Sequence, residues 1–132
     1  LGFTKITISG RNYTKAKKLA DKFDSEVISW NEREKCTNEV LINATPIGMY
    51  TNTRYSPVSK IYIKNLKYVM DIISNPTETR LIKNAKSLKI KNSNGLTMSL
   101  FQARAQFKLY TGLNLPMEVM KKAVSKYYKK KK

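Results

Sequence analysis

The sequence predicts an α/β fold with a mostly parallel sheet. Short apolar, β-branched segments alternate with segments whose apolar residues recur at helical spacing, from Lys5 to Ala123. The segment Tyr68–Ile73 (YVMDII) is apolar almost throughout, as a strand buried on both faces of a parallel sheet must be. No internal repeat and no long linker divides the 132 residues, which read as one domain or a piece of one.

Lys5–Ser9 alternates and is β-branched, so it reads as a strand that ends at Gly10-Arg11-Asn12. Asn12 suits the N-cap of a helix whose apolar stripe is Ala16, Leu19, Ala20 and Phe23. Glu26–Trp30 is the next short strand, and the polar run 31–38 a turn or short helical piece. Glu39–Ala44 is a strand that breaks into Asn43-Ala44-Thr45-Pro46-Ile47-Gly48. There Pro46 fixes its own φ and pushes Thr45 to an extended shape. Gly48 permits a backbone conformation or a close approach that a side chain would block. Tyr50–Pro57 reads as a loop and 61–63 as a short helix or extended piece.

Ser74-Asn75-Pro76 stops the Tyr68–Ile73 strand, and Thr77 or a neighbour caps a helix that turns Leu81, Ile82 and Ala85 inward. Leu88–Lys91 reads as a short strand and Asn94-Gly95 as a turn. A helix over 96–110 follows, with Met98, Phe101, Ala105 and Leu109 on its apolar stripe. Pro116 suits the first turn of a last helix with Val119, Met120 and Ala123 facing in. Tyr127 and Tyr128 precede a lysine tail expected to fray.

Composition narrows the chemistry. The chain has no histidine and one cysteine, Cys36. A Ser-His or Cys-His nucleophile and a His-ligated metal are therefore excluded within it, an internal disulfide is impossible, and no metal site is expected. The lone cysteine fits a reducing, cytoplasmic setting. No segment approaches the ~20 apolar residues of a membrane span, and no signal peptide is expected ahead of Leu1. A formal charge of +17 favours anionic partners. The excess is mostly lysine and is spread along the chain, as a solvated surface would also have it. A nucleic-acid partner is accordingly not the favoured reading.

Several positions invite chemistry. In a dinucleotide-binding fold an acid at the end of such a first strand bonds the ribose 2′-hydroxyl, and an arginine accommodates a 2′-phosphate. Here no acid stands at Ser9, Gly10 or Arg11, and Lys15 follows Arg11 by about one helical turn. The helix start at Asn12 adds free N–H groups that favour anions. The same residues also suit a plain surface pair beside a helix start. Gly95 allows a ligand, or simply a turn, to approach the backbone. Gln102 lies close to the helical stripe, where a buried amide needs partners. Asp71 sits inside an apolar strand and must be hydrogen-bonded or paired, most simply to nearby backbone N–H groups. A Gly-rich pyrophosphate loop belongs about 20 residues upstream of Arg11, and no GxGxxG occurs in the sequence.

Four stretches, in order and in register, resemble the C-terminal, NADP-binding half of the shikimate dehydrogenase family: Ile6–Phe23 (ITISGRNYTKAKKLADKF), Ile42–Met49 (INATPIGM), Val69–Leu81 (VMDIISNPTETRL) and Asn94–Gly112 (NGLTMSLFQARAQFKLYTG). The resemblance implies a Rossmann-like three-layer fold lacking its first strand and Gly-rich loop. Residues 1–132 would be an incomplete NADP-binding domain with C-terminal helices, and the N-terminal substrate domain would be absent. The family reduces 3-dehydroshikimate to shikimate with NADPH in chorismate and aromatic amino acid biosynthesis. By this resemblance Gly10, Arg11, Asn12 and Lys15 match the segment that holds the 2′-phosphate, with Gly10 and Asn12 replacing the family's Asn and Thr. Thr45 and Met49 belong to the cleft wall beside the nicotinamide, and Ile72 and Gly95 line its side. Gln102 matches a substrate-contacting glutamine, and Ser74 stands where the family has a substrate-contacting tyrosine. The family's catalytic lysine and aspartate lie in the N-terminal domain, so no catalytic residue is expected here and the chain alone should be inactive. The Ser74 departure leaves a quinate-using relative as an alternative.

Overall fold

A computed structural model describes residues 2–129, with side chains described as far as Ser125. The lysine tail over 130–132 and the side chains of Tyr127 and Tyr128 lie outside this description. Strand β1 (Thr7–Gly10) leads into helix α1 (Tyr13–Lys22), and β2 (Glu26–Ser29) follows. A 3₁₀ helix over Trp30–Lys35 carries the chain to β3 (Val40–Asn43). Then come α2 (Lys60–Ile63), β4 (Tyr68–Asp71), α3 (Arg80–Ser87), β5 (Lys91–Ser93), α4 (Gly95–Thr111) and α5 (Met117–Lys129).

All strand pairings are parallel, but the strands fall into two sheets, β1-β2 and β3-β4-β5. β1 and β3 are each paired on one side only. Asn38 Nδ2 donates to Thr7 Oγ1 at 3.3 Å and ties the approach to β3 to the start of β1. The hydrophobic core belongs to the second sheet: Val58, Tyr62, Ile63, Leu66, Val69, Leu81, Ile82 and Ala85 pack together, with Leu41, Leu88 and Ile90 beside them. The first sheet is covered by α1, whose buried residues are the small Ala16 and Ala20.

Local chemistry places the element ends. Asn12 caps α1 by accepting from the Lys15 N–H, Thr79 caps α3 through Ile82 N–H, and Asn94 caps α4 through Thr97 N–H. Gly112 closes α4 in the left-handed conformation, at φ 72°. Two pins hold the irregular segments: the Glu34 carboxylate accepts from Ser59 N–H and Oγ, and the Arg33 guanidinium donates to the Pro57 and Trp30 carbonyls while stacking over the Trp30 ring.

The structure corrects several expectations. The fifth strand is Lys91–Ser93, not 88–91. Leu88 to Ile90 instead close α3: Lys89 takes a positive φ of 58° and the Ile90 N–H returns to the Ala85 carbonyl. Asn94-Gly95 opens a helix as expected, and α4 begins one residue earlier, at Gly95. Within the stripe expected to be inward on α4, Met98 is half-buried while Phe101, Ala105 and Leu109 are exposed, Leu109 to 82%. α5 packs along α4, and no described element covers this face. Leu19, Phe23, Val119 and Ala123 are also exposed. The covered face of α4 is instead the opposite one, with Leu100 buried and Leu96, Ala103 and Phe107 half-buried, so helical spacing alone picks the wrong side of this helix.

Candidate functional site

In each parallel sheet the strands' carboxyl ends share one edge, which is where open α/β sheets take ligands. Gly10 ends β1 there, and Asn43, Asp71 and Ser93 end β3, β4 and β5. The sequence-predicted site residues stand at these ends or within about six residues beyond them, except Gln102, which lies two turns into α4.

A buried polar network organises the edge. Asp71 is fully buried, Thr79 is 1% exposed and Asn43 3%. Asp71 Oδ1 accepts from Asn43 Nδ2 and from the Ile73 N–H, both at 3.1 Å, and Oδ2 accepts from the Thr79 hydroxyl at 2.6 Å. Asn43 also donates to the Ile47 carbonyl at 3.2 Å, while its Oδ1 accepts from the Thr45 N–H and hydroxyl at 3.1 and 2.7 Å. Thr45 Oγ1 in turn accepts from the Ile47 N–H at 3.3 Å. Burial pushes the Asp71 carboxyl above its ordinary range, and the bonds from Thr79, Ile73 and Asn43 pull the other way. No buried side-chain polar atom among the described residues lacks a partner.

Two glycines sit where a side chain would collide. Gly48, at φ 100°, brings the loop after β3 back against Thr79: an added Cβ would lie 3.3 Å from the Thr79 Cβ. At Gly95 an added Cβ would lie 2.1 Å from the Ile72 carbonyl oxygen, and the Gly95 N–H donates to the Ile73 carbonyl at 3.1 Å. The absent side chain thus first serves the close packing of the α4 start on the segment after β4. Gly10 differs, because a Cβ there would meet Ala16 at an ordinary 3.6 Å.

At the β1 end Arg11, Asn12 and Lys15 are exposed. Neither Arg11 nor Lys15 joins an ion pair among the described residues, and the first turn of α1 carries no acid. Asn12 spends its side-chain oxygen on the helix cap. Met49 and Ile72 are exposed, Thr45 and Ser74 half-buried. The Ile72 N–H donates to the Asn43 carbonyl at 3.1 Å, and the Tyr50 N–H to Asn75, just before the cis Asn75–Pro76 bond, at 3.4 Å. Gln102 is exposed, not buried, so it needs no internal partner. Its helix turns it toward the open side of α4 along with Phe101. None of these residues lines the hollow of about 420 Å³ at Lys5, Thr7, Glu26 and Cys36. Among the described residues no cluster suits a metal, and no helix is long and apolar enough to cross a membrane.

Residues 95–124 match the family model of the shikimate 5′-dehydrogenase C-terminal domain. The shikimate dehydrogenase (NADP(+)) of Methanocaldococcus jannaschii is 42% identical over 111 residues, which is 83% of this chain. The chain is kin to the C-terminal portion of the shikimate dehydrogenases. A solved shikimate dehydrogenase in complex with NADP+ superposes with a TM-score of 0.77 at 34% identity, over 93% of this chain. A chorismate mutase/shikimate 5-dehydrogenase fusion protein from Clostridium acetobutylicum superposes at 0.80 with 29% identity over 95%. The fold is therefore Rossmann-like α/β. The chain spans 39% of the M. jannaschii relative and 46% of each of those two solved chains.

What sequence reasoning missed is the pairing that joins these motifs. Asp71 stood out as an acid in an apolar strand, but Asn43 and Thr79 did not appear as its partners. The available signal was that Asn43 and Asp71 each end a strand, and the parallel register sets them side by side.

Proposed function

We propose that this chain is the cofactor-binding part of an NADP-dependent shikimate dehydrogenase, which reduces 3-dehydroshikimate to shikimate. It would work with an N-terminal substrate domain and be inactive by itself. The observation that carries the reading is the 42% identity, over 83% of the chain, to a relative named for that activity and cofactor. The site's own chemistry fits the cofactor. Two cations with no ion partner among the described residues flank a helix start that carries no acid, and this suits a 2′-phosphate better than a ribose hydroxyl.

When bound, NADPH supplies the hydride; the protein's share is binding and orientation. Arg11 and Lys15 would hold the adenosine phosphate. The loop 43–49, with Thr45 and Met49, and the pair Ile72 and Gly95 would flank the nicotinamide and exclude water from one side. Thr45 would act through its backbone and methyl group, since its hydroxyl is used within the loop. Ser74 and Gln102 would reach the substrate, which the other domain covers. The lysine and aspartate that move the proton would come from that domain, as the resemblance implies. The shorter Ser74 in place of tyrosine keeps a quinate-using relative as a second reading.

NADPH fluorescence titration tests the cofactor. Arg11→Ala should weaken NADPH by about tenfold while leaving NADH nearly unchanged, the expected loss of one charge-assisted contact. Equal losses for both cofactors would remove the 2′-phosphate role. Turnover of dehydroshikimate by the pure chain would overturn the claim of inactivity.

A further inference from the structure

We propose that Asp71 is a positioning residue for the loop that follows β3: its buried carboxylate joins Asn43 to the N-cap of α3 and thereby sets where residues 44–48 stand at the sheet edge. The geometry leaves the loop few other anchors. At its start, Asn43 holds Thr45 and Ile47 through three hydrogen bonds of 2.7 to 3.2 Å, and its own amide is held by Asp71 at 3.1 Å. At its end, Gly48 packs on the Thr79 side chain, and the Thr79 hydroxyl is held by the other oxygen of the same carboxylate at 2.6 Å. Both ends of the loop thus refer to one group on β4.

An acceptor-only group is what this place requires. Asn43 Nδ2, the Ile73 N–H and the Thr79 hydroxyl are all donors, and a carboxylate can accept from three at once. Asparagine keeps the shape and turns one acceptor into a donor. Its N–H would then face the Asn43 amide donor to donor, or would turn the Thr79 hydroxyl from donor to acceptor and take away the partner of the hydroxyl proton; either change would loosen the register of the loop. The same carboxylate accepts from the Ile73 N–H, just past Ile72, so it also fixes the segment on which Gly95 rests.

The inference rests on the cofactor reading only for its purpose, and its test is independent of any ligand. Amide hydrogen exchange on the 132-residue chain is compared for wild type, Asp71→Asn, Thr79→Val and Thr79→Ser. Asp71→Asn and Thr79→Val should speed exchange at Thr45 and Ile47 by about tenfold, the size of one lost buried hydrogen bond, with α1 unchanged. Thr79→Ser, which keeps the hydroxyl, should match wild type. Unchanged protection at Thr45 and Ile47 in a folded Asp71→Asn chain would overturn the proposal. So would equal acceleration throughout the chain, because that marks general destabilisation. NADPH titration of the same variants then separates the two readings. If wild type binds no NADPH, the cofactor assignment fails and the exchange result still decides the role of Asp71.

Discussion

Gly95 and Gly10 stand at comparable strand exits and make opposite demands. A methyl at Gly95 would enter the Ile72 carbonyl, which is backbone and cannot swing aside. Gly95→Ala should therefore cost about 3 kcal/mol or more in a urea melt, the upper end of overpacking. A cost under about 0.5 kcal/mol would mean that α4 slides freely on β4. Gly10 has ordinary space around an added Cβ, so Gly10→Asn should leave the melt unchanged. If Gly10 belongs to the 2′-phosphate segment, as the resemblance implies, the same change should also tighten NADPH. Asp71 adds a pH signature. A carboxyl raised above its ordinary value binds a proton more readily in the folded chain. Its contribution to stability thus falls as pH rises from the ordinary carboxylate range through the folded value. The stability of wild type relative to Asp71→Asn should decline over that window, and a difference that grows with pH would contradict the direction. Glu78 runs the other way. Its bond to Lys86 lowers its pKa, so that small surface contribution is lost as pH falls.

At the scale of elements, α3 and α4 show what periodicity can and cannot say. The α3 stripe was legible in the sequence, whereas the α4 face read as inward is the outer one. Leu81, Ile82 and Ala85 are buried against β4 and β5, whereas Phe101 and Leu109 stand in solvent. Spacing identifies a face only where a single stripe is apolar. On α4 apolar residues line two opposite faces, and the covered one carries Leu96, Leu100, Ala103 and Phe107. Leu81→Ala should cost about 2–5 kcal/mol, while Phe101→Lys and Leu109→Lys should each stay within about 0.5 kcal/mol in the isolated chain. A large loss from either lysine would show that the α4 face is packed after all. The β3 exit was legible as Asn43 to Gly48 because Pro46 and Gly48 punctuate it. Its anchoring to Asp71 and Thr79 was not, because hydrogen-bond partners 28 and 8 residues from Asp71 along the chain leave no local trace. The fifth strand was misplaced for a related reason. Leu88 and Ile90 look like a strand, but they serve the core beside α3.

At the scale of the whole molecule, 26 basic residues face 9 acidic ones. Among the described residues six ion pairs involve Glu26, Asp21, Glu32, Glu39, Glu78 and Glu118, so much of the acidic complement is already engaged while most lysines repel one another. Added salt should raise the melting temperature by screening that repulsion. A fall on moving from about 0.1 to about 0.3 M salt, which shortens the screening length by roughly 40%, would mean the surface pairs outweigh it. The division into two sheets has a consequence of its own. The apolar cluster holds α2, β4 and α3 together, and β1, α1 and β2 contribute nothing to it. These two regions should not open as one. The first βαβ unit has only Ala16 and Ala20 buried, and its link to the second sheet includes one side-chain bond from Asn38 to Thr7. It should be the low-stability foldon of the chain, detaching at a fraction of the global unfolding free energy while α3 and β4 remain protected. A ligand gripping Arg11 on one unit and the β3 loop on the other would then act as a cross-brace, and would raise the cooperativity of unfolding more than its midpoint.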